Sequence, residues 1–443
     1  MTPAARASAI IELLDLCLDS ISSGGAPADQ IVSTYFRQRR YAGSKDKRYI
    51  RETFYKIMRS YEGRAAWLGE QAMDISGRSL LLSGAVYEPV DEFSAAVFDP
   101  ETPHGPDVLN DAEKSFIEVK PDGAWLEAHQ AAQLNIPDWA EAPLKARFGD
   151  QWEIVAAAFN DRAPLTLRIN TVSQHPEKTR KSLKKADIDF TSDTMAPGAI
   201  EIVETLQLNE VEAYKKGWVE VQDASSQIGA LLVEASSGDM VADLCAGAGG
   251  KTLAIGAHMR NRGLISAYDT SPVRLDILKK RANKASLTCA QIERLPEGLT
   301  ERQEIIGGKA HDRVVLDVPC SGSGTWRRSP DLRQRNAFSG ERAEELATVQ
   351  RQLLEEGAGI TATDGRLIYM TCSFLPAENE DQITWFLDKH PDWSLVPWQA
   401  IWRRVSSGKA VPESHSSIAE TLQLSPHTSG ADGFFVAILE RST

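Results

Sequence analysis

The stretch that decides the fold is Val241-Ala242-Asp243-Leu244-Cys245-Ala246-Gly247-Ala248-Gly249-Gly250-Lys251-Thr252. An apolar strand pattern runs into a glycine-rich turn, and a helical pattern begins near Lys251. Apolar strand patterns alternate with helical ones further along the chain, at 264–268, 313–316 and 367–370. Each ends near a loop with polar residues, which is typical of a doubly wound parallel sheet with its site at the strands' carboxyl ends. We therefore predict an α/β domain over residues 221–443.

The chain before this domain shows two other sequence patterns. Residues 4 to about 70 have apolar positions at three- and four-residue steps, which predicts an all-helical region. The stretch 88–119 is rich in Asp, Glu and Pro and reads as an acidic linker or a loosely packed helical region.

From Ile136, a helical segment, an alternating strand pattern at 165–170, a basic helix and a strand near 200–203 predict a small α+β unit. The expected domains are a helical domain with its linker, the small α+β subdomain and the α/β domain, at 1–130, 131–220 and 221–443.

Bulk properties limit the class of protein. A chain of 443 residues is too long for one compact core. It has no apolar run long enough to cross a bilayer, and its first segment reads as an amphipathic helix rather than a signal peptide. Five cysteines without paired spacings indicate free thiols in a reducing compartment. We expect a cytoplasmic protein.

Charge gives two opposing signals. The net charge of −13 argues against a nucleic-acid partner. Residues 37–64, however, carry ten Lys and Arg against three acids, and further basic clusters lie at 178–185 and 327–335. Basic stripes on an acidic body fit a phosphate-binding face, with solvated helix faces as the alternative.

The glycine turn excludes two nucleotide-binding patterns. Cys245 occupies the first glycine position of a phosphate-binding G-x-x-x-x-G-K-[ST] loop, and Thr252 replaces the third glycine of the dinucleotide pattern. Asp269 ends the next strand, where an acceptor for ribose hydroxyls is expected. A glycine loop without a phosphate motif, followed by a ribose acid, favours S-adenosylmethionine. A tight turn without a ligand is the alternative.

Two cysteines lie in unusual settings, Cys320 in Leu316-Asp317-Val318-Pro319-Cys320-Ser321-Gly322 and Cys372 in Tyr369-Met370-Thr371-Cys372-Ser373. Each follows a strand pattern of the buried type, within a polar loop. Methylation of cytosine at carbon 5 needs such a thiolate, because its addition to carbon 6 makes carbon 5 nucleophilic. A nearby carboxyl group and a base complete the reaction, on a base flipped out of its stack. We expect no metal site, since no C-x-x-C spacing occurs.

These motifs resemble those of the RsmB/Nop/Sun family of RNA cytosine-5 methyltransferases, and the resemblance covers nearly the whole chain. The matching stretches are 221–227, 317–324, 371–373 with 378–380, and 432–437. The resemblance implies that Cys372 is the nucleophile and that Cys320 assists product release. It also implies that Asp317 contacts the cytosine ring, with Lys251 orienting its carboxylate. The residues implied to hold S-adenosylmethionine are Cys245, Ala246, Gly247, Ala248, Gly249, Gly250, Lys251, Asp269 and Asp317.

The first 220 residues carry the resemblance further. Residues 44–50 and 55–59 resemble the NusB-like domain of the family's bacterial rRNA branch, and 167–170 resembles a strand of its RNA-binding subdomain. This implies 16S rRNA as the substrate. We expect a monomer with no membrane or metal partner. A tRNA substrate, or an inactive RNA-binding protein, is the alternative.

Two departures from the family pattern concern cofactor binding. Gly247-Ala248 stands where the family usually has Ala-Pro, and 290–295 lacks the Asp expected for the adenine amino group, with Glu293 the nearest acid.

Two rival enzyme classes differ in their residues. A DNA-type arrangement would make Cys320 the attacking thiol, although Thr371-Cys372 favours the RNA arrangement. An amino-group methyltransferase is disfavoured because Asp317-Val318-Pro319-Cys320 lacks an aromatic residue.

Overall fold

The computed structural model describes residues 1–87, 95–99, 101–173, 175–192, 194–203, 208–296, 298–335 and 340–442. The chain forms two compact units. The helical unit contains residues 1–162 and 325–339, and the sheet unit contains 163–324 and 340–443. The finer division at 1–130, 131–220 and 221–443 remains a prediction, and residues 88–94 and 100 of the expected acidic linker lie outside the described residues.

The helical unit confirms the predicted all-helical start. Its helices up to residue 158 are α1 Pro3–Ser22, α2 Ala28–Gln38, α3 Ser44–Arg59, α4 Tyr61–Glu70, α5 Gly77–Leu82, α6 Asp111–Phe116, α7 Gly123–Ala128, α8 Gln130–Gln133, α9 Asp138–Phe148 and α10 Trp152–Ala158. Ile50, Phe54, Ile57 and Met58, spaced along one face of α3, are fully buried. This apolar face packs into the unit's core.

The sheet unit contains a small antiparallel sheet in the order β2-β3-β1-β4. Its strands are β1 Leu165–Ile169, β2 Phe190–Thr191, β3 Ala199–Ile202 and β4 Val219–Val221. The helices of this region are the basic helix α11 Pro176–Lys185 and the short α12 Glu212–Lys215. Leu183 of α11 packs with Leu167 and Ile200, so this helix covers one face of the small sheet.

The large sheet has eight strands and confirms the predicted doubly wound architecture. Its order is β10-β12-β9-β8-β5-β6-β7, with β11 paired to β12. The strands are β5 Met240–Asp243, β6 Leu264–Asp269, β7 Ala290–Arg294, β8 His311–Asp317, β9 Thr361–Thr371, β10 Trp393–Leu395, β11 Leu422–Leu424 and β12 Phe434–Arg441. Strands β5 to β9 are parallel, and β12 joins β9 antiparallel. The strand order reverses at β5 and β8, where open α/β sheets bind ligands.

Helices cover both faces of the large sheet. They are α13 Ala224–Leu232, α14 Gly250–His258, α15 Pro272–Lys284, α16 Leu299–Ile306, α18 Gly340–Ile360, α19 Glu380–Lys389, α20 Trp398–Val405 and α21 Pro426–Ser429; α17 Leu332–Arg335 belongs to the helical unit. In β9, Leu367 and Tyr369 enter one core, and Ile368 and Met370 enter the other. The continuous apolar run at 367–370 is explained by burial on both faces.

The basic cluster at 327–335 is partly structural. Arg333 is fully buried in the helical unit, where its Nη2 donates to the carbonyl of Phe159 at 3.2 Å and to Asn160 at 2.8 Å. Arg335 donates to the carbonyls of Ser20, Gly25 and Ala26, each at 3.0 Å. These two arginines therefore join chain segments, and they correct the expectation of a phosphate-binding face at their positions.

Candidate active site

The glycine turn between β5 and α14 is shaped by close packing. Gly249 has φ +87°, and a Cβ at this position would collide with Leu278. A residue with a side chain would thus meet both backbone strain and a steric clash here. Gly247 also has a positive φ, +53°, but the nearest atom to a Cβ there is the Cys245 carbonyl oxygen, 4.0 Å away. Open space therefore faces the backbone at Gly247.

Asp269, at the end of β6, holds this turn in place. One carboxylate oxygen accepts from the Gly247 amide at 2.9 Å, and the other accepts from the Ser271 amide at 2.8 Å. Each oxygen keeps a further lone pair. The expected ribose acceptor thus lies beside the bare backbone of the glycine turn.

Cys245 lies within the same turn but in a strongly desolvated position. Burial raises the pKa of its thiol well above the ordinary value, and the charge of Asp243 adds to the rise. The thiol therefore keeps its proton at neutral pH. Its predicted place in the cofactor loop does not make it a competing nucleophile.

Lys251, in the first turn of α14, reaches Asp317 at the end of β8. Its Nζ donates to the Asp317 carboxylate at 2.6 Å and lies 4.8 Å from the centre of the Phe434 ring. Lys251 is 7% exposed, whereas the Asp317 side chain is 34% exposed. The lysine is thus the buried partner that fixes a carboxylate facing open space.

Asp243, a residue that sequence reasoning missed, lies beneath this pair. It is fully buried and accepts from the Thr252 hydroxyl at 2.7 Å. Burial raises its pKa to about 7, and the charge of Asp317 adds to the rise. The available signal was an acid ending an apolar strand before a glycine turn, the position that Asp269 holds one strand later.

The two cysteines of the sequence motifs meet in the structure. The Sγ atoms of Cys320 and Cys372 lie 3.4 Å apart, and both side chains are half-buried. Their loops follow β8 and β9, which are adjacent parallel strands with Asp317 paired to Met370. The contact with Cys372, together with burial, raises the pKa of Cys320 well above its ordinary value. Cys320 therefore keeps its proton at neutral pH and can donate its S–H to the Cys372 sulfur.

Glu378 ties the Cys320 loop to the segment after Cys372. Its buried carboxylate accepts from the Ser321 amide at 2.8 Å, the Ser321 hydroxyl at 2.5 Å and the Gln350 amide at 3.2 Å. Burial raises the pKa of Glu378. Sequence reasoning used Glu378 as part of a motif but did not assign it this positioning role.

The closing motif at 432–437 supports the Cys372 loop from the other side. Gly324 donates its amide to the Cys372 carbonyl at 2.9 Å, and Gly433 donates to the Gly324 carbonyl at 2.8 Å. A Cβ on Gly324 would collide with the Gly433 carbonyl. The Asp432 amide in turn donates to Asp223 at 3.2 Å. The four sequence motifs, far apart in the chain, thus converge on one site.

The segment 290–295, where the contact with the adenine amino group is expected, begins with β7. Glu293, the nearest acid in sequence, is exposed on β7 and pairs with Tyr268 of β6 in the parallel ladder. It therefore lies on the strand beside the one that ends in Asp269.

Two classes of feature are absent from the residues that the structure describes. Within them, no group of three or more His, Cys, Asp and Glu side chains could hold a metal ion. None of the described helices is both long and apolar enough to span a membrane.

Known proteins are similar to this chain in sequence and in fold. The family model described as 16S rRNA methyltransferase RsmB/F matches residues 230–440, and the model of the ferredoxin-like domain of RsmF/B-like methyltransferases matches 136–209. Ribosomal RNA small subunit methyltransferase B of Yersinia enterocolitica is 31% identical over 332 residues, which cover 75% of this chain and 71% of that protein. This chain belongs to the RsmB/F family. The expected resemblance is thereby confirmed.

One further relative agrees with membership in the RsmB/F family, and one solved structure shares the fold. A probable ribosomal RNA small subunit methyltransferase B of Synechocystis is 32% identical over 315 residues, covering 70% of this chain and 68% of that protein. The crystal structure of PH0851 has a TM-score of 0.79 and 24% identity, and the match covers 100% of this chain and 99% of that one. The structural likeness supports the fold, and the sequence relatives identify an RsmB/F methyltransferase.

Proposed function

We propose that this RsmB/F methyltransferase transfers a methyl group from S-adenosylmethionine to carbon 5 of a cytidine in 16S rRNA, through a covalent cysteine–cytosine adduct. The observation that carries the proposal is the 3.4 Å contact between Cys320 and Cys372, in loops that follow the strands bearing Asp317 and its neighbours. The relatives named as ribosomal RNA small subunit methyltransferases favour rRNA over tRNA.

The glycine turn fits the cofactor. The open space at Gly247 admits a ligand close to the backbone, and the Asp269 oxygens keep lone pairs for ribose hydroxyls. Residues 245–251 and Asp269 would hold S-adenosylmethionine, with Asp317 nearby. When bound, the cofactor supplies an electrophilic methyl group.

Cys372 starts the reaction as the nucleophile. Its thiolate adds to carbon 6 of the flipped cytosine, which makes carbon 5 a nucleophile. The S–H of Cys320 stabilises this thiolate before it attacks, because the two sulfur atoms are in contact. Ring nitrogen 3 gains a proton that passes from the Lys251 ammonium through the Asp317 carboxyl, and the proton returns by the same route when the adduct breaks down.

Cys320 acts after the adduct forms. Contact with Cys372 is the largest cause of its raised pKa, and the charge of Cys372 is another. Bonding of the Cys372 sulfur to carbon removes both causes, so the Cys320 thiol ionises more readily at that stage. The thiol releases its proton to solvent, and the thiolate that results takes the proton from carbon 5. The double bond between carbons 5 and 6 then re-forms, and the Cys372 sulfur leaves as a thiolate.

The protein has two exposed groups of basic residues that could bind the RNA backbone. Lys178, Lys181, Lys184 and Lys185 are exposed on α11, and five exposed basic residues lie at 37–51 of the helical unit: Arg37, Arg40, Lys45, Arg48 and Arg51. Such surfaces neutralise phosphates, so binding should weaken with added salt. We place this reaction in the cytoplasm.

A labelling experiment tests the proposal. The purified chain is incubated with S-adenosylmethionine carrying a labelled methyl group and with unmodified 16S rRNA or tRNA, and the RNA is digested to nucleosides. We expect the wild type to place label in 5-methylcytidine of 16S rRNA and not of tRNA. Cys289→Ala is the control, since it removes a thiol at the edge of the large sheet, and it should give the same result. Label in another nucleoside, or in tRNA alone, would contradict the proposal.

A further inference from the structure

A cavity lies in the sheet unit, with walls from β1, α11, α13, α14 and the end of α20. It has a volume of about 340 Å³. Among the described residues, its lining includes the cationic Arg168, Arg180 and Lys409 and contains no Asp or Glu. None of these residues belongs to the glycine turn or to the cysteine loops, so the cavity is a separate feature.

Arg168 is the buried cation of this cavity. The residue is 6% exposed, its Nε donates to Gln222 at 2.7 Å, and its Nη1 has no hydrogen-bond partner in the part of the chain that the structure describes. Glu220, the residue opposite on β4, is bound by the Arg281 guanidinium at 2.9 Å. Burial lowers the pKa of Arg168 to about 10, and the charge of Glu220 opposes this fall. A buried guanidinium in this state is stabilised by an anion.

The other polar groups of the lining suit the same ligand. Arg180 pairs with Glu177 on its own helix at 2.7 Å, which leaves further guanidinium N–H groups. Burial, and then the charge of Arg168, lowers the pKa of His258 to about 4, so this imidazole is neutral at pH 7 and adds no further cation to the lining. Apolar side chains, among them Ile169, Leu231 and Val405, complete the walls.

We propose that this cavity binds a phosphate group, with Arg168, Arg180 and Lys409 as its cationic ligands and the apolar walls holding the group that carries it. The phosphate belongs either to a free phosphate ester or to an RNA backbone. The fork of a guanidinium matches phosphate oxygens, and the volume admits more than the phosphate alone.

Arg168 is linked through Gln222 to the glycine turn. Its partner Gln222 also approaches the glycine turn, since the Gln222 Nε2 lies 3.7 Å from a Cβ built on Gly250. A change at Arg168 would therefore disturb the cofactor turn. Arg180→Met/Lys409→Met removes two cations from the cavity without touching that link, and Lys280→Met removes an exposed lysine of α15 as a control.

Inorganic phosphate is the first probe. Its binding to the full chain is monitored by the width of its ³¹P resonance. We expect saturable binding of phosphate to the wild type and to Lys280→Met. The affinity of Arg180→Met/Lys409→Met for phosphate should be lower by a factor of about ten or more. Competition by a short oligoribonucleotide would assign the site to RNA backbone, and binding of phosphate without such competition would assign it to free phosphate esters. No saturable binding, or equal binding by all three proteins, would overturn the proposal. Failure here leaves the methylation assay unaffected.

Discussion

The sulfur atoms of Cys320 and Cys372 touch at 3.4 Å, although 52 residues separate them in the chain. The contact arises because β8 and β9 are parallel neighbours whose ends both lie at the same edge of the sheet. Either sulfur could donate an S–H to the other in this contact. The contact with Cys372, together with burial, raises the pKa of Cys320 well above its ordinary value, so Cys320 is the thiol that keeps its proton.

The same contact predicts sensitivity to oxidation. Hydrogen peroxide should take one hydrogen from each thiol and be reduced to two molecules of water, while the two sulfurs join in a disulfide. Methyl transfer should be lost and should return with a thiol reductant. Peptide mapping by mass spectrometry should find Cys320 joined to Cys372. Inactivation with these two thiols still unlinked would contradict the prediction.

The Lys251–Asp317 pair predicts a specific loss of activity. Lys251→Met leaves the Asp317 carboxylate without its buried cation, so the carboxylate is no longer held for the cytosine ring. We expect kcat to fall by about 100-fold or more. The matched control is Lys279→Met, because Lys279 makes an exposed pair with Asp276 at 3.8 Å. Equal kcat values for the two variants would argue against a role for the pair.

Asp243 predicts a pH dependence of stability. The folded protein binds the Asp243 proton more tightly than the unfolded chain does, because its pKa rises from 3.8 to about 7. Its contribution to stability is therefore present below 3.8 and is lost as the pH rises through about 7. Relative to Asp243→Asn, the wild-type free energy of unfolding should fall across this interval. Urea titrations at several pH values measure it, and a constant difference would refute the assignment.

Glu378 predicts a combined loss of stability and activity. Glu378→Ala removes the acceptor of three hydrogen bonds and leaves the Ser321 and Gln350 donors buried. The free energy of unfolding should fall by about 2 kcal/mol or more, and the Cys320 loop should lose its anchor. Glu344→Ala, at an exposed position of α18, should change neither quantity. Chemical denaturation and the methylation assay provide both measurements.

Sequence reasoning found the large sheet because its parallel strands are buried on both faces and read as apolar runs. It placed β9 at 367–370, whereas the strand spans Thr361–Thr371, because the first half includes exposed residues such as Asp364. It missed Asp243, whose burial depends on neighbours that only the folded sheet supplies. Arg333 and Arg335 were interpreted as surface charges for the same reason, since long-range packing leaves no local pattern.

The unequal roles of the two thiols are the central claim, and a trapping experiment tests them most directly. Cys320→Ala and Cys372→Ala are each incubated with S-adenosylmethionine and 16S rRNA and then run on a denaturing gel. We expect Cys320→Ala to stay covalently attached to RNA, because the adduct forms but does not resolve. Cys372→Ala should form no adduct and transfer no methyl group. A trapped complex from Cys372→Ala, with none from Cys320→Ala, would reverse the roles and contradict the account.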